Sequence, residues 1–512
     1  MALNPQSELT PAERERGLQL LVVEAGFSGG AAALTSGVIL TAFALHLGAS
    51  NVMVGLLAAM PFLAQLLQLP AIQLVERWRQ RKRIAVLSSL IGRTMLAAMA
   101  ALAFFSGTTA LLIFLAAQML LCGLGAIGGC AWNAWIRDLA PDDRLGEVFA
   151  RRTVWLTAIS LVLGLVAALA LDRTSAGSPA RDLVFAAMFA TGCITGLISG
   201  RIVAMMPEPL MPPVTGRVGL RALLAQPLGD ANFRRLLVFV ASWQFAINLA
   251  TPFFTVFIVR QLHFAVSFVL LLNVASQVAN MLALRLWGGL SDRFANTSVL
   301  AVCAPAYILA IVAMIGASQL GNRGAVMLWL IGLHLVMGAT IACVTLASTN
   351  IALKLSPKGS ATAYVAANAM TTAVAAGIAP ILGGLLAQFF AARRFALVAR
   401  WQSPNGVFTL PITLTAWDFY FLLAGLIGVY TPARLNGAIT QMADTDLPDG
   451  IEERHVEPVR GILAHASPLA FIVLGTAMAV AATGLLGGAP APVTSVSAPA
   501  ASLELKIARP LR

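Results

Sequence analysis

Charge is scarce in this chain. Asp, Glu, Lys and Arg make up 11% of its 512 residues, roughly half the ~25% usual in water-soluble domains, which excludes an ordinary soluble globule. Cysteine is scarce too: Cys122, Cys130, Cys193, Cys303 and Cys343 all fall inside apolar runs. Their spacing suits neither a disulfide framework nor a metal site, so they read as buried free thiols. No phosphate-binding loop, metal constellation or nucleophile triad is present, which argues against an ATP-driven pump or an enzyme and implies no cofactor. The first sixteen residues, "MALNPQSELTPAERER", are polar and lack a cleavage pattern, so no removable signal peptide is expected.

What is abundant is apolar length. The chain is 59% hydrophobic, with a mean hydropathy of +0.83. Many uncharged runs reach the ~20 residues that cross a bilayer as a helix, and in lipid such runs must be helical to pair their backbone groups. They fall near 17–47, 52–75, 84–105, 109–135, 153–171 and 182–206, and again near 233–260, 265–287, 298–318, 325–350, 362–391 and 416–433. The stretch between the two sets, rich in proline and basic residues, reads as a linker. The expected fold is all-α membrane, a twelve-helix core of two six-helix sets. The expected division is a cytoplasmic N-terminus 1–16, a six-helix half 17–206, a cytoplasmic linker 207–232, a second half 233–435 and a cytoplasmic segment 436–466. A candidate thirteenth helix, 467–488, and a disordered tail, 489–512, follow.

Orientation comes from the basic residues. The N-terminus, the even-numbered loops, the linker with Arg201, Arg234 and Arg235 at its edges, and residues 434–460 carry 23 of the 34 Lys and Arg residues, against 7 in the odd-numbered loops. The basic side is therefore expected to be cytoplasmic, in a multi-pass protein of the bacterial inner membrane. The net charge of +12 reflects this bias and contact with anionic lipid head groups rather than nucleic acid.

The two sets are related. Glu76–Arg77, in "QLVERWRQRKRIAVL", lies 216 positions before Asp292–Arg293, in "GGLSDRFANTSVL". Leu139 and Pro141 lie 216 positions before Leu355 and Pro357. Two loop pairs sharing one offset argue for duplicated halves, and halves that both start on one side run parallel.

These residues carry a resemblance to the major facilitator superfamily. That family's loop signature after spans two and eight is Gly-x-x-x-Asp-Arg-x-Gly-Arg-Arg/Lys. Gly288, Asp292 and Arg293 match the second copy, with Ala295, Asn296 and Thr297 at its later positions. In the first copy Glu76 and Arg77 stand for the acid and base, with Ile72 and Arg79 where glycines would be. The resemblance implies gating: contacts of these loops favour the outward-facing state of a protein whose halves rock by alternating access. The alternative for the basic residues of the first loop is topology alone.

Ionisable groups at membrane depth are costly and therefore functional candidates. Glu24 lies about two turns into span one, and Arg93 about 14 Å into span three at 1.5 Å per residue. They read either as an ion pair or, for Glu24, as a substrate or proton group; the resemblance implies that span one lines the cavity. His334, in span ten, is a proton or anion candidate, or a neutral histidine bonded to a neighbouring helix. Gln244 and Asn248 share a helix face and serve a substrate or interhelical bonding; Gln118 is a weaker candidate of the same kind. Gly377, Pro380, Gly383 and Gly384 let span eleven bend and approach a neighbour, which the resemblance implies to be the other half. Span five lacks the Gly-Pro signature of drug–proton antiporters, and Met119 stands near the place where many members carry an arginine in span four.

The leading expectation is a monomeric secondary transporter, with or without proton coupling, for a small organic solute. The alternative is a non-transporting assembly or pigment-delivery factor, or a sensor, on the same fold.

Overall fold

A computed structural model of the chain describes residues 5–6, 9–141, 144–211, 220–290, 296–356, 361–393, 395–403, 406–414 and 416–428. Asp292 and Arg293 and the segments expected at 436–466, 467–488 and 489–512 lie outside them.

The first helix, α1 (Pro11–Thr35), starts where Thr10 and Glu13 cap each other reciprocally and Pro11 fills the first turn, an arrangement that satisfies amides the helix cannot. It breaks at Ser36 in an extended conformation; Gly37 has φ +58°, and α2 (Gly37–His46) continues the crossing. Span two is also double, α3 (Asn51–Gln65) and α4 (Gln68–Trp78). Four long helices follow: α5 (Arg81–Leu102), α6 (Thr108–Leu139), α7 (Leu145–Asp172) and α8 (Pro179–Met205). Then come a short α9 (Leu220–Gly229) and α10 (Ala231–Val256), which ends in a π-turn over Phe257–Gln261. The remainder comprises α11 (Val266–Leu290), α12 (Asn296–Ala313), α13 (Gly316–Gln319), α14 (Arg323–Lys354), α15 (Ala361–Phe390), strands β1 (Phe395–Ser403) and β2 (Gly406–Leu414), and α16 (Ala416–Gly428). Among the described residues eleven helical stretches are long and apolar enough to cross a membrane, and α16 is a shorter apolar twelfth.

The 216-residue offset is visible in these boundaries. Val266, Asn296, Arg323 and Ala361 begin their helices within one residue of Asn51, Arg81, Thr108 and Leu145 advanced by 216. Ser36, where span one breaks, maps onto Pro252 inside α10. The departure is the antiparallel hairpin β1–β2, paired in register from Phe395↔Leu414 to Ser403↔Gly406. It stands where the offset would start a helix, so the expected loop between spans eleven and twelve is an inserted hairpin.

The chain forms two compact units. One holds Met1–Leu223 with Pro252–Leu271 and Ala369–Ile381; the other holds Leu224–Thr251, Leu272–Asn368 and Leu382–Arg512. In the first, α5 packs on α6 and α8, and α1 on α7 and α8. The α1–α7 approach needs Gly29, where a methyl group would lie 2.7 Å from the Leu156 carbonyl oxygen. Across that contact the Ser160 hydroxyl donates to the Gly29 carbonyl at 2.9 Å. Faces left uncovered are apolar, as on α7 with Val154, Trp155, Leu161, Val162, Leu165 and Val166 exposed. Such a stripe suits lipid, not water.

Candidate functional site

Two groups of charge are buried in the first unit. The deeper one centres on Glu24, 5% exposed on α1. Its Oε1 accepts from the Ser199 hydroxyl of α8 at 2.9 Å, and its Oε2 pairs with Arg152 of α7 at 3.4 Å. The Arg152 guanidinium also lies 4.8 Å from the ring centre of Trp132 on α6, within cation–π range. Among the described residues its buried Nε meets no hydrogen-bond partner. Arg93, the partner expected for Glu24, is close enough to attract it, and its stem fills the notch at Gly196, where a methyl would meet the Arg93 Cδ at 2.7 Å. The ion pair itself goes to Arg152. Sequence reading placed Arg152 in a loop because the apolar run starts at residue 153; α7 in fact begins at Leu145, so Arg152 sits two turns inside it. One carboxylate thus draws together helices from spans one, three, five and six.

The second group lies at the N-terminal end of α5. Arg81 is 2% exposed and every arm of its guanidinium is used. Nη1 meets Asp138 at 2.5 Å and the Ala134 carbonyl at 3.1 Å; Nη2 donates to the Pro209 carbonyl at 2.9 Å; Nε lies 3.5 Å from Glu208 Oε1. The Arg81 backbone amide donates to that same oxygen at 2.9 Å. Glu208 is 1% exposed, and this desolvation pushes its carboxyl above the ordinary range despite the Lys82 and Arg81 donors that oppose it. Around it Trp135 donates to the Pro207 carbonyl at 3.0 Å, and Gln6 exchanges backbone bonds with Glu208 and Leu210. Leu18, Leu21, Trp135, Ile136, Leu139 and Met206 form the apolar floor. The N-terminal segment, the loop after span two, the end of span four and the start of the linker therefore converge on one arginine.

The other sequence candidates are placed as follows. Glu76 and Arg77 are exposed at the end of α4. Arg79, at the position of the second signature glycine, has φ +52°, the left-handed backbone that glycine adopts freely, and donates to the Met211 carbonyl. Gly288 lies in the last turn of α11. Gln118 is buried and donates to Cys122 Sγ at 3.3 Å, while its Oε1 meets no hydrogen-bond partner among the described residues. Asn248 donates to the Gln244 carbonyl and side chain, at 2.9 and 3.2 Å, so these two amides are joined to each other. His334 is buried, with Nδ1 2.8 Å from the Leu330 carbonyl of its own helix. A methyl at Gly377 would meet the Leu63 side chain at 2.5 Å; Pro380 lies inside α15, and Gly383 and Gly384 are buried on it.

The profile of the Major Facilitator Superfamily matches residues 22–380. Among solved structures, the fold is similar to that of the nucleoside transporter NupG, with TM-score 0.60 at 13% identity over 82% of this chain and 98% of that one. A D-xylose–proton symporter gives 0.57 at 14% identity, over 82% and 96%. A bacterial homologue of the human drug peptide transporters PepT1 and PepT2 gives 0.53 at 15%, over 84% and 99%. At such identities the likeness is one of fold. No curated protein matches the chain.

Proposed function

The chain belongs to the major facilitator superfamily, and from that premise we propose that its halves, 17–206 and 233–435, rock to carry a small organic solute across a bacterial inner membrane. The family and the fold make it a multi-pass secondary transporter. In this reading the N-terminus faces the cytoplasm, as the basic bias of the loops on its own side, the near face, supports, and a monomer works among anionic head groups. The solved proteins it resembles in fold are named for nucleosides, D-xylose and peptides, which supports a polar or amphipathic cargo of similar size.

The proposal includes coupling of transport to a proton, and the observation that carries this part is Glu24. A carboxylate inside an apolar bundle is stable when ionised only if it is paired and hydrogen-bonded, and here Arg152 and Ser199 supply both contacts. Protonation of Glu24 would release Arg152, so proton occupancy and helix packing are coupled at one group. Asp292 and Arg293 remain the proposed gating pair of the second half. In the first half Glu76 and Arg77 are the proposed counterpart, while the buried Arg81 ties their loop to the end of span four and the start of the linker.

Purified protein in proteoliposomes, offered nucleosides, pentoses, short peptides and amphipathic amines with and without a pH gradient, tests this. Gradient-dependent uptake of one class, lost in a folded Glu24→Gln variant, is expected. Well-incorporated protein that moves none of them under any gradient would favour the non-transporting alternative.

A further inference from the structure

The helix α7 ends on an acid. Asp172 is its last residue, with no basic residue in the last turn, and a negative charge there opposes the helix's own dipole. The helix α11 begins without a cap of its own: Ala265 precedes Val266, and alanine is among the poorest residues for that position. The two deficits meet. Asp172 Oδ1 accepts from the Val266 amide at 2.9 Å and Oδ2 from the Ser267 amide at 3.0 Å, so α7 caps α11 in trans. The counterpart of α11 in the first repeat, α3, is capped locally: the Ser50 hydroxyl accepts from the Met53 amide.

A local cap survives any motion of the helix that carries it; a cap borrowed from another repeat does not. The α7 C-terminus and the α11 N-terminus lie on the face opposite the N-terminus, and Arg260, at the end of span seven on the same face, donates to the Ala49 carbonyl of the first repeat at 3.1 Å. All of these residues belong to the first compact unit. We propose that Asp172 is a positioning residue of the transport cycle: a latch that holds the far face closed by capping α11, with Arg260 as its second point of attachment. Opening that face costs α11 its cap and leaves Asp172 beside an unfavourable dipole, with Arg181 the nearby charge that attracts it. The proposal rests on the rocking of the two halves.

Spin labels at Ser106→Cys and Gly321→Cys, in full-length protein with the five native cysteines changed to alanine, report the far-face opening in lipid nanodiscs without any substrate. Both positions are exposed loop residues, one in each repeat. Asp172→Asn keeps the volume and removes the charge; it should raise the ratio of long-distance to short-distance populations about three- to tenfold. Ala265→Ser gives α11 a cap of its own, leaves α7 untouched and should shift the ratio the same way. Two populations whose weights neither variant changes would overturn the latch. A single distance in every sample, wild type included, would overturn the rocking itself.

Discussion

The near-face junctions of the two repeats use the same places and different chemistry. In the first repeat, Glu15 at the start of span one pairs with Arg144 before span five at 2.8 Å. In the second, Asp230 before span seven accepts from the Tyr364 hydroxyl of span eleven at 3.4 Å. In the first, Arg81 reaches the Ala134 carbonyl 53 residues on; in the second, Asn350 donates to Asn296 across 54 residues, at 3.3 Å. The backbone plan fixes which helix ends meet, and the side chains decide how firmly. The first repeat uses buried ions because more chain has to be held there: the linker leaves from Pro207–Met211, and only a guanidinium has enough donors to bond Asp138, Glu208, Ala134 and Pro209 together. Among the described residues of the second repeat, the matching bond between the start of span nine and the end of span ten is one between amides.

The comparison breaks most severely at Arg81. Arg81→Met strands the buried Glu208 and takes its partner from the exposed Asp138, and removing one partner of a buried pair costs about 3–5 kcal/mol. Much reduced folded yield is the expected outcome in detergent, partly restored by adding Glu208→Met. Wild-type yield in the single variant would show the ions to be dispensable. The same site has a pH signature. The folded carboxyl of Glu208 titrates above its ordinary value of 4.5, so between these values the folded state binds more proton than the unfolded one. Stability from this group is full below the ordinary value and is lost as pH rises through the raised one. Thermal midpoints measured across that window should decline more steeply for wild type than for Glu208→Gln; parallel curves would mean no shift.

At the matching place in the second repeat, Asn350→Ala removes one amide bond and should cost about 1 kcal/mol, visible as a small drop in thermal midpoint. A loss as large as that of Arg81→Met would erase the distinction drawn here. Smallest of all is Glu15→Gln. The pair it breaks is over two-fifths exposed on each side, and exposed pairs contribute about 0–1 kcal/mol, so the midpoint should hardly move and salt should mimic the variant.

Much of this was legible in the sequence. Long uncharged runs gave the spans because lipid leaves a backbone few options, and the shared offset between Glu76 and Asp292 reappears in four helix starts. Glu24 was legible from its depth in span one, but which basic residues would be buried with an acid was not. Arg77, Arg79, Arg81, Lys82 and Arg83 look alike as a topological cluster, and only the fold brings Asp138 and Glu208 to one of them. Glu208 sits in a proline-rich stretch that reads as plain linker, and Arg152 lies outside the apolar run that marked span five. The hairpin did leave a signal: β-branched and aromatic residues flank "SPNG", an Asn-Gly turn sequence.

That hairpin changes how the last helix is tethered. Between Phe390 and Ala416 the chain would otherwise be a loop of some twenty-five residues, whose ends are brought together at an entropic cost that grows with its length. With Phe395 paired to Leu414, the two strand ends are about 5 Å apart, and the effective connection shrinks to the few residues outside the ladder. The stacked rings of Phe390 and Phe419, 5.7 Å apart, close the same gap from the helical side. α15 and α16 are thus stapled end to end, and any displacement of one carries the other with it as a lever rather than through slack rope.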